Sequence, residues 1–132
     1  MIHDELVTYE VAKLAKEKGF PQDVFGTCEM KSSCYLEDGR YYKDGCIYPI
    51  ENAYTAPTQS LLQRWLREEK GVTICVDIFD DGWFFDISTF YKQDTGIYEV
   101  DIPYKSSNVS PVYDTYELAL EDALKYALEN LV

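Results

Sequence analysis

The sequence predicts an α+β fold: an N-terminal helix and a β-hairpin, then a helix, a three-stranded antiparallel meander and a last helix, with the helices on one face of the sheet. Three observations carry this expectation. Helical periodicity with marked ends recurs around residues 8–20, 58–70 and 115–131. Strict period-two alternation runs from Val72 to Phe79. Turn signals at Asp38-Gly39, Asp44-Gly45, Asp80-Asp81-Gly82 and Thr95-Gly96 punctuate the β-rich stretches. At 132 residues the chain suits a single domain spanning 1–132.

The first helix is entered through Thr8 as N-cap and buries Val11, Ala12, Leu14 and Ala15, with Lys13, Lys16 and Glu17 outward. Gly19 suits a left-handed position after the last turn, Phe20 folds back, and Pro21 prevents continuation. Residues 28–36 and 40–48 then read as the two arms of a hairpin, and 50–57 as an irregular connection. Thr58 follows Pro57 and is the expected N-cap of the second helix, with Thr55 the alternative. Leu61, Leu62, Trp65 and Leu66 form its expected buried stripe, Gln63, Arg64 and Arg67 face outward, and Lys70-Gly71 ends it.

In the meander, Val72, Ile74, Val76 and Ile78 oppose Thr73, Cys75, Asp77 and Phe79 across the first strand. WFFDISTFY supplies the second strand. IYEVDIPY supplies the third, where Tyr98, Val100, Ile102 and Tyr104 alternate with Glu99 and Asp101. The last helix starts at Asp114, with Glu117 completing a capping box, or at Thr115. Its small-residue ladder Ala119, Ala123 and Ala127, flanked by Leu120, Leu124, Leu128 and Leu131, lets it lie close against a sheet.

The net charge of −12 is unevenly distributed. Residues 58–75 carry three basic and two acidic side chains, whereas 76–132 carry three basic and twelve acidic ones. Such a surface repels phosphate, so nucleic acid is an unfavoured partner. The N-terminus lacks a basic region leading into an apolar run and no window suits a membrane span, which predicts a cytoplasmic protein with no membrane partner. In that compartment Cys28, Cys34, Cys46 and Cys75 are expected as thiols.

The run APTQSLLQRWLREEKGVTICVD, followed by TYELALEDALKYALENL, resembles a small uncharacterised protein family of phages and mobile elements in Bacteroides-type gut bacteria. The opening TYEVAKLAKEKGF fits the same family, and the segments Ala56-Pro57-Thr58-Gln59-Ser60-Leu61-Leu62-Gln63 and Trp65-Leu66-Arg67-Glu68 carry the likeness most specifically. The resemblance implies a mobile-element origin and brings no catalytic activity with it. The cysteines and the Asp80-Asp81-Gly82-Trp83-Phe84-Phe85 hairpin depart from it.

Catalytic material is sparse. His3 is the sole histidine and stands near a terminus, which leaves histidine-based triads without an oriented base. Cysteine spacing lacks the close pairs of structural zinc sites, and no glycine-rich phosphate loop occurs, so neither a metal nor a cofactor is expected. Asp77 and Asp86 are the pair left for a carboxylate-dependent enzyme. Arg64, Arg67 and Lys70 form the one basic helix edge, and Tyr41 and Tyr42 stand out among twelve tyrosines, more than a small core encloses with every hydroxyl satisfied. These five residues are the candidate binding positions. The functional expectation is a non-enzymatic accessory or protein-interaction module that binds another protein. The alternatives are an acidic DNA mimic or host-defence inhibitor that binds a basic protein, and the carboxylate enzyme.

Overall fold

The computed structural model describes residues 4–23, 29–30, 32–43, 45–47, 52–92, 96, 98–105 and 112–132. The element order is α1 (Tyr9–Glu17), β1 (Glu29–Met30), β2 (Cys34–Leu36), β3 (Tyr41–Tyr42), β4 (Cys46–Ile47), β5 (Ala53–Thr55), α2 (Gln59–Lys70), β6 (Val72–Phe79), β7 (Gly82–Lys92), β8 (Tyr98–Lys105) and α3 (Tyr116–Asn130). The fold is α+β, with helices packed on antiparallel strands. Contacts divide the chain into two compact units, Met1–Thr58 and Gln59–Val132.

In the first unit, Thr8 caps α1 by accepting the Val11 N–H at 3.4 Å. At the other end Gly19 takes φ +96°. The Phe20 N–H then reaches Ala15 O at 2.9 Å and the Gly19 N–H reaches Lys16 O at 3.1 Å. This doubly bonded stop is what Gly19 and Phe20 predict. The pairs Glu29↔Ile47, Met30↔Cys46, Cys34↔Tyr42 and Tyr35↔Tyr41 share one register, so β1–β4 belong to one hairpin turning at residues 37–40. Gly39 provides the positive φ that turn needs. β3 and β4, on either side of the Asp44-Gly45 signal, both pair with the outgoing arm, so that signal does not reverse the chain. Residues 28, 44 and 48 lie outside the described residues.

β5 joins antiparallel to β2, and Cys34, Leu36 and Ala53 form a small core with Tyr42 against it. Tyrosines staple this unit. The Tyr9 hydroxyl donates to Glu37 O at 2.6 Å, and Tyr35 donates to Val7 O at 2.8 Å. Tyr9 meets the edges of Tyr35 and Tyr54 at centroid separations of 6.0 and 5.9 Å. Tyr9 and Tyr35 thus pack their rings while their hydroxyls find backbone acceptors.

In the second unit β6, β7 and β8 form the predicted meander, and α2 and α3 pack on β6 and β7. Val72, Ile74, Phe85 and Ile87 are buried on the helix side, facing Leu62, Leu66, Leu120, Leu124 and Leu128 of the helices. Ala119, Ala123 and Ala127 are fully buried, so the small-residue ladder does bring α3 against the sheet. Thr115, not Asp114, is the N-cap, accepting the Leu118 N–H at 3.1 Å.

Two sequence expectations are corrected. The buried stripe of α2 is Gln59, Leu62 and Leu66, with Gln63 half-buried, whereas Leu61 is 52% exposed. The seam is rotated because both glutamines have partners that compensate their burial. Gln59 Nε2 donates to Glu117 O at 2.9 Å and to Glu121 Oε1 at 3.0 Å, and Gln63 Nε2 donates to Ile74 O at 2.9 Å. In β8 the expected alternation breaks. Ile87 faces Tyr104 but Thr89 faces Asp101, so an extra residue enters β8 at Ile102-Pro103. Proline has no N–H for the ladder and suits a bulge on an edge strand. The bulge leaves Tyr104 on the helix side and turns Val100 to the other.

Candidate interaction surface

Among the predicted site residues, Tyr41 and Tyr42 belong to the first unit and Arg64, Arg67 and Lys70 to the second. Tyr41 is exposed and tilts against Tyr35 at 5.4 Å, whereas Tyr42 is half-buried on the Cys34–Leu36–Ala53 core. On α2, Arg64 Nε lies 3.0 Å from Glu68 Oε1, and the Lys70 ammonium stands 5.4 Å from the Trp65 ring centroid. Arg67 is exposed. Two of the three cations are thus engaged on their own helix, and an exposed i,i+4 pair of this kind contributes about 0.3–0.5 kcal/mol. Of the three, only Arg64 is paired with a carboxylate of its own helix among the described contacts.

The first unit has a cavity of about 340 Å³ beside the hairpin turn, lined by Leu36, Glu37, Asp38, Arg40 and Asn52. Asp38 accepts the Arg40 backbone N–H at 3.0 Å and its Nε at 2.7 Å. The backbone N–H, aided by the guanidinium, holds the Asp38 carboxyl below its usual value. The two charges there serve the turn.

The larger feature is the face of the β6–β7–β8 sheet opposite the helices. β7 is the central strand, and its residues alternate cleanly: Phe85 and Ile87 point to the core, whereas Phe84, Asp86, Ser88 and Phe90 take the other face. Register sets Phe84 beside Asp77, Asp86 between Cys75 and Lys105, and Phe90 beside Val100. Cys75 and Asp77 are exposed, Phe84 and Phe90 are half-buried, and Val100 is 63% exposed. Ile102, at the bulge, is 50% exposed. The sequence hid this surface because period-two reading carried Val100 to the same side as Tyr104.

Asp86 differs from its neighbours on this face. Its Oδ1 atom is inaccessible to solvent and has no hydrogen-bond partner among the described residues, although one lies within reach of most buried carboxylate oxygens. Asp77, diagonal to it across β6 and β7, is in solvent and accepts the Ile78 N–H at 2.7 Å. The two carboxylates share a face, but Asp77 lacks the enclosed setting of an acid–base pair. Among the described residues no group of three or more His, Cys, Asp or Glu side chains could hold a metal ion. Cys34 is buried in the first unit and Cys75 is exposed in the second, and both are free thiols.

At the far end of the core, Tyr104 stacks on Phe85 at 4.9 Å and meets Tyr126 at 4.4 Å, while Trp83 meets Tyr116 edge-on at 5.5 Å. Tyr113 bridges antiparallel to Trp83 through backbone bonds of 2.9 and 2.8 Å, and its hydroxyl donates to Asp122. Burial, reinforced by that carboxylate, pushes the Tyr113 phenol well above its ordinary value. Tyr104 is therefore a packing residue.

Comparison of the chain with protein-family models, with curated proteins and with solved structures finds no match. Among the described residues no helix is long and apolar enough to cross a membrane.

Proposed function

We propose that this chain is a non-enzymatic protein-interaction module of phage or mobile-element origin, which meets its protein partner through the open face of the β6–β7–β8 sheet. The observation that carries this reading is Val100, 63% exposed beside Phe90 on a sheet face that the unit's own helices leave uncovered. Apolar side chains grouped on an uncovered sheet face are the kind of surface that protein partners bury. The mobile-element origin rests on the sequence resemblance alone. The test is photo-cross-linking from a benzoylphenylalanine placed at position 100 in cells that make the protein, with position 129 on α3 as control. A reproducible protein adduct from position 100, weaker from 129, is expected. Equal labelling from both positions, or none from position 100, would refute the reading.

A second reading, an acidic DNA mimic binding a basic protein, is favoured by α3. Its outward side carries Glu117, Glu121, Asp122 and Glu129, and the one lysine among them, Lys125, lies 3.9 Å from Glu129. It ranks second because Glu121 and Asp122 already accept Gln59 and Tyr113. Its mark is binding that weakens steeply with salt and with loss of Glu117, indifferent to Val100.

A further inference from the structure

We propose that the free edge of β6 receives an extended segment of the partner protein as an added strand, with Gln63 of α2 as the side chain that gives way to it. This rests on the reading of the chain as a protein-binding module and adds the form of what it binds. β6 is the outer strand of the order β6–β7–β8, and its register with β7 runs unbroken from Val72↔Thr89 to Phe79↔Gly82. The Phe90 N–H donates to Gly71 O at 3.1 Å, which fixes the alternation of the ladder. Thr73, Cys75 and Asp77 therefore turn their backbone groups toward β7, whereas Val72, Ile74, Val76 and Ile78 turn theirs outward. Trp83 gives the same phase from the other side: it is the register partner of Ile78, and its own N–H and carbonyl bond Tyr113, away from β6.

Two side chains occupy part of the outward row. Gln63 Nε2 donates to Ile74 O at 2.9 Å, and the Ile78 N–H donates to Asp77 Oδ1 at 2.7 Å. Between them, the Ile74 and Val76 N–H groups and the Val76 carbonyl have no partner among the described residues. A row of outward N–H and C=O groups at the strand repeat matches one kind of ligand, another extended backbone. The opposite edge, β8, is blunted by its bulge and by Pro103, whereas β6 has neither. A second copy of this chain does not fit the edge. α2 packs on β6 and α3 on both β6 and β7, so α2 is the helix nearer the free edge. Antiparallel pairing of β6 with itself about a two-fold axis would set both α2 helices on one face, separated by roughly the strand spacing of 4.8 Å, where packed helix axes need about 8–10 Å. The occupant is therefore a strand that carries no helix of its own at that place. Residues facing each other across paired strands share a face. Those opposite Ile74 and Val76 lie on the helix side, where the exposed Ile78 extends the apolar surface, and theirs are the N–H groups that bond β6. The alternate residues lie beside the exposed Cys75 and Asp77, where a cation opposite Asp77 is favoured.

The experiment uses the full chain and a short fluorescein-labelled peptide of alternating valine and lysine, followed by fluorescence anisotropy. Wild type is expected to bind it. N-methylation of the valine amides, which face β6, should weaken binding about tenfold or more, whereas N-methylation of the lysine amides, which face away, should leave it unchanged. The three peptides carry one charge, so general attraction to an acidic chain affects them alike, and the contrast needs no variant of the protein to fold. In the free chain the amides of Ile74 and Val76 should exchange with deuterium fast and those of Thr73, Cys75 and Asp77 slowly, and the peptide should slow the first two. Gln63→Ala removes the competing donor and should bind the peptide about threefold or more tightly. No binding by wild type, equal binding of the two methylated peptides, exchange at Ile74 and Val76 unaltered by the peptide, or unchanged or weaker binding by Gln63→Ala each overturns the proposal. If the peptide fails these tests while position 100 cross-links a partner, this inference falls and the interaction reading stands; if the peptide passes them while position 100 gives no adduct, docking through the open face falls and the edge remains.

Discussion

Gly71, which links α2 to β6, makes the sharpest test of the second unit. Its backbone sits at φ +67°, and a Cβ there would lie 2.9 Å from the Phe90 carbonyl oxygen. That oxygen cannot easily give way, because the Phe90 N–H is itself bonded to Gly71 O at 3.1 Å. Gly71→Ala therefore incurs about 1–2 kcal/mol for the left-handed conformation and about 1–3 kcal/mol for overpacking. Against these stands a gain of about 0.4–1 kcal/mol from the stiffer unfolded chain. The net expectation is a loss of about 1–4.6 kcal/mol, centred near 3 kcal/mol, which at a urea slope of about 2 kcal/mol/M lowers the midpoint by about 0.5–2.3 M. Gly96→Ala is the comparison, since Gly96 has φ +84° but open space around its Cβ position. It should lose only the conformational part, about 1 kcal/mol or less after the same offset. Both variants report through one signal, because the chain's two tryptophans, Trp65 and Trp83, lie in the second unit. Equal midpoints for the two variants would show that the Gly71–Phe90 approach is not as close as described.

Three other expectations follow from the same unit and the same fluorescence assay. Leu62→Ala removes a fully buried side chain and should cost about 2–5 kcal/mol, whereas Leu61→Ser, at a 52% exposed position, should stay within about 0.5 kcal/mol; the reverse order would restore the stripe read from sequence. Gln59→Ala removes the side-chain donor to Glu117 O and one of the interactions of Glu121, and should cost about 1–3 kcal/mol, measured as a urea midpoint shift. Tyr113 holds its proton more tightly folded than unfolded, so its contribution is complete below its ordinary value of 10.0 and declines as pH rises beyond it. Urea titrations across the alkaline range should therefore show falling stability in wild type and a flatter profile in Tyr113→Phe, and parallel profiles would contradict the assignment.

Much of the local architecture could be read from the chain, and the reason is visible in the caps. Thr8, Gly19 and Phe20 act on backbone groups only a few residues away, so their pattern alone specifies both ends of α1. The alternation of Val72–Phe79 and the Ala119–Ala123–Ala127 ladder work the same way, since each describes one side of one element. Gly71 belongs here too as a helix stop, although its contact with Phe90 does not.

The candidate surface needed the tertiary structure. Whether Val100 points to the core or away from it depends on one extra residue at Ile102-Pro103, and a bulge is defined only by the strand it pairs with. Gln59 could enter the core in place of Leu61 only because Glu117 and Glu121, distant in sequence, supply its acceptors. The tyrosines that composition marked as surplus were assigned by their hydroxyl partners: Val7 O for Tyr35, Glu37 O for Tyr9 and Asp122 for Tyr113. The ends of α1, the strand Val72–Phe79 and the small-residue ladder of the last helix could thus be read from residue order, because those signals act within a few residues, whereas β5 and the outcome of the Asp44-Gly45 signal could not. Register, burial of polar side chains and the identity of the open face were decided by pairing across the sheet and between helices, where the interacting groups are remote in sequence.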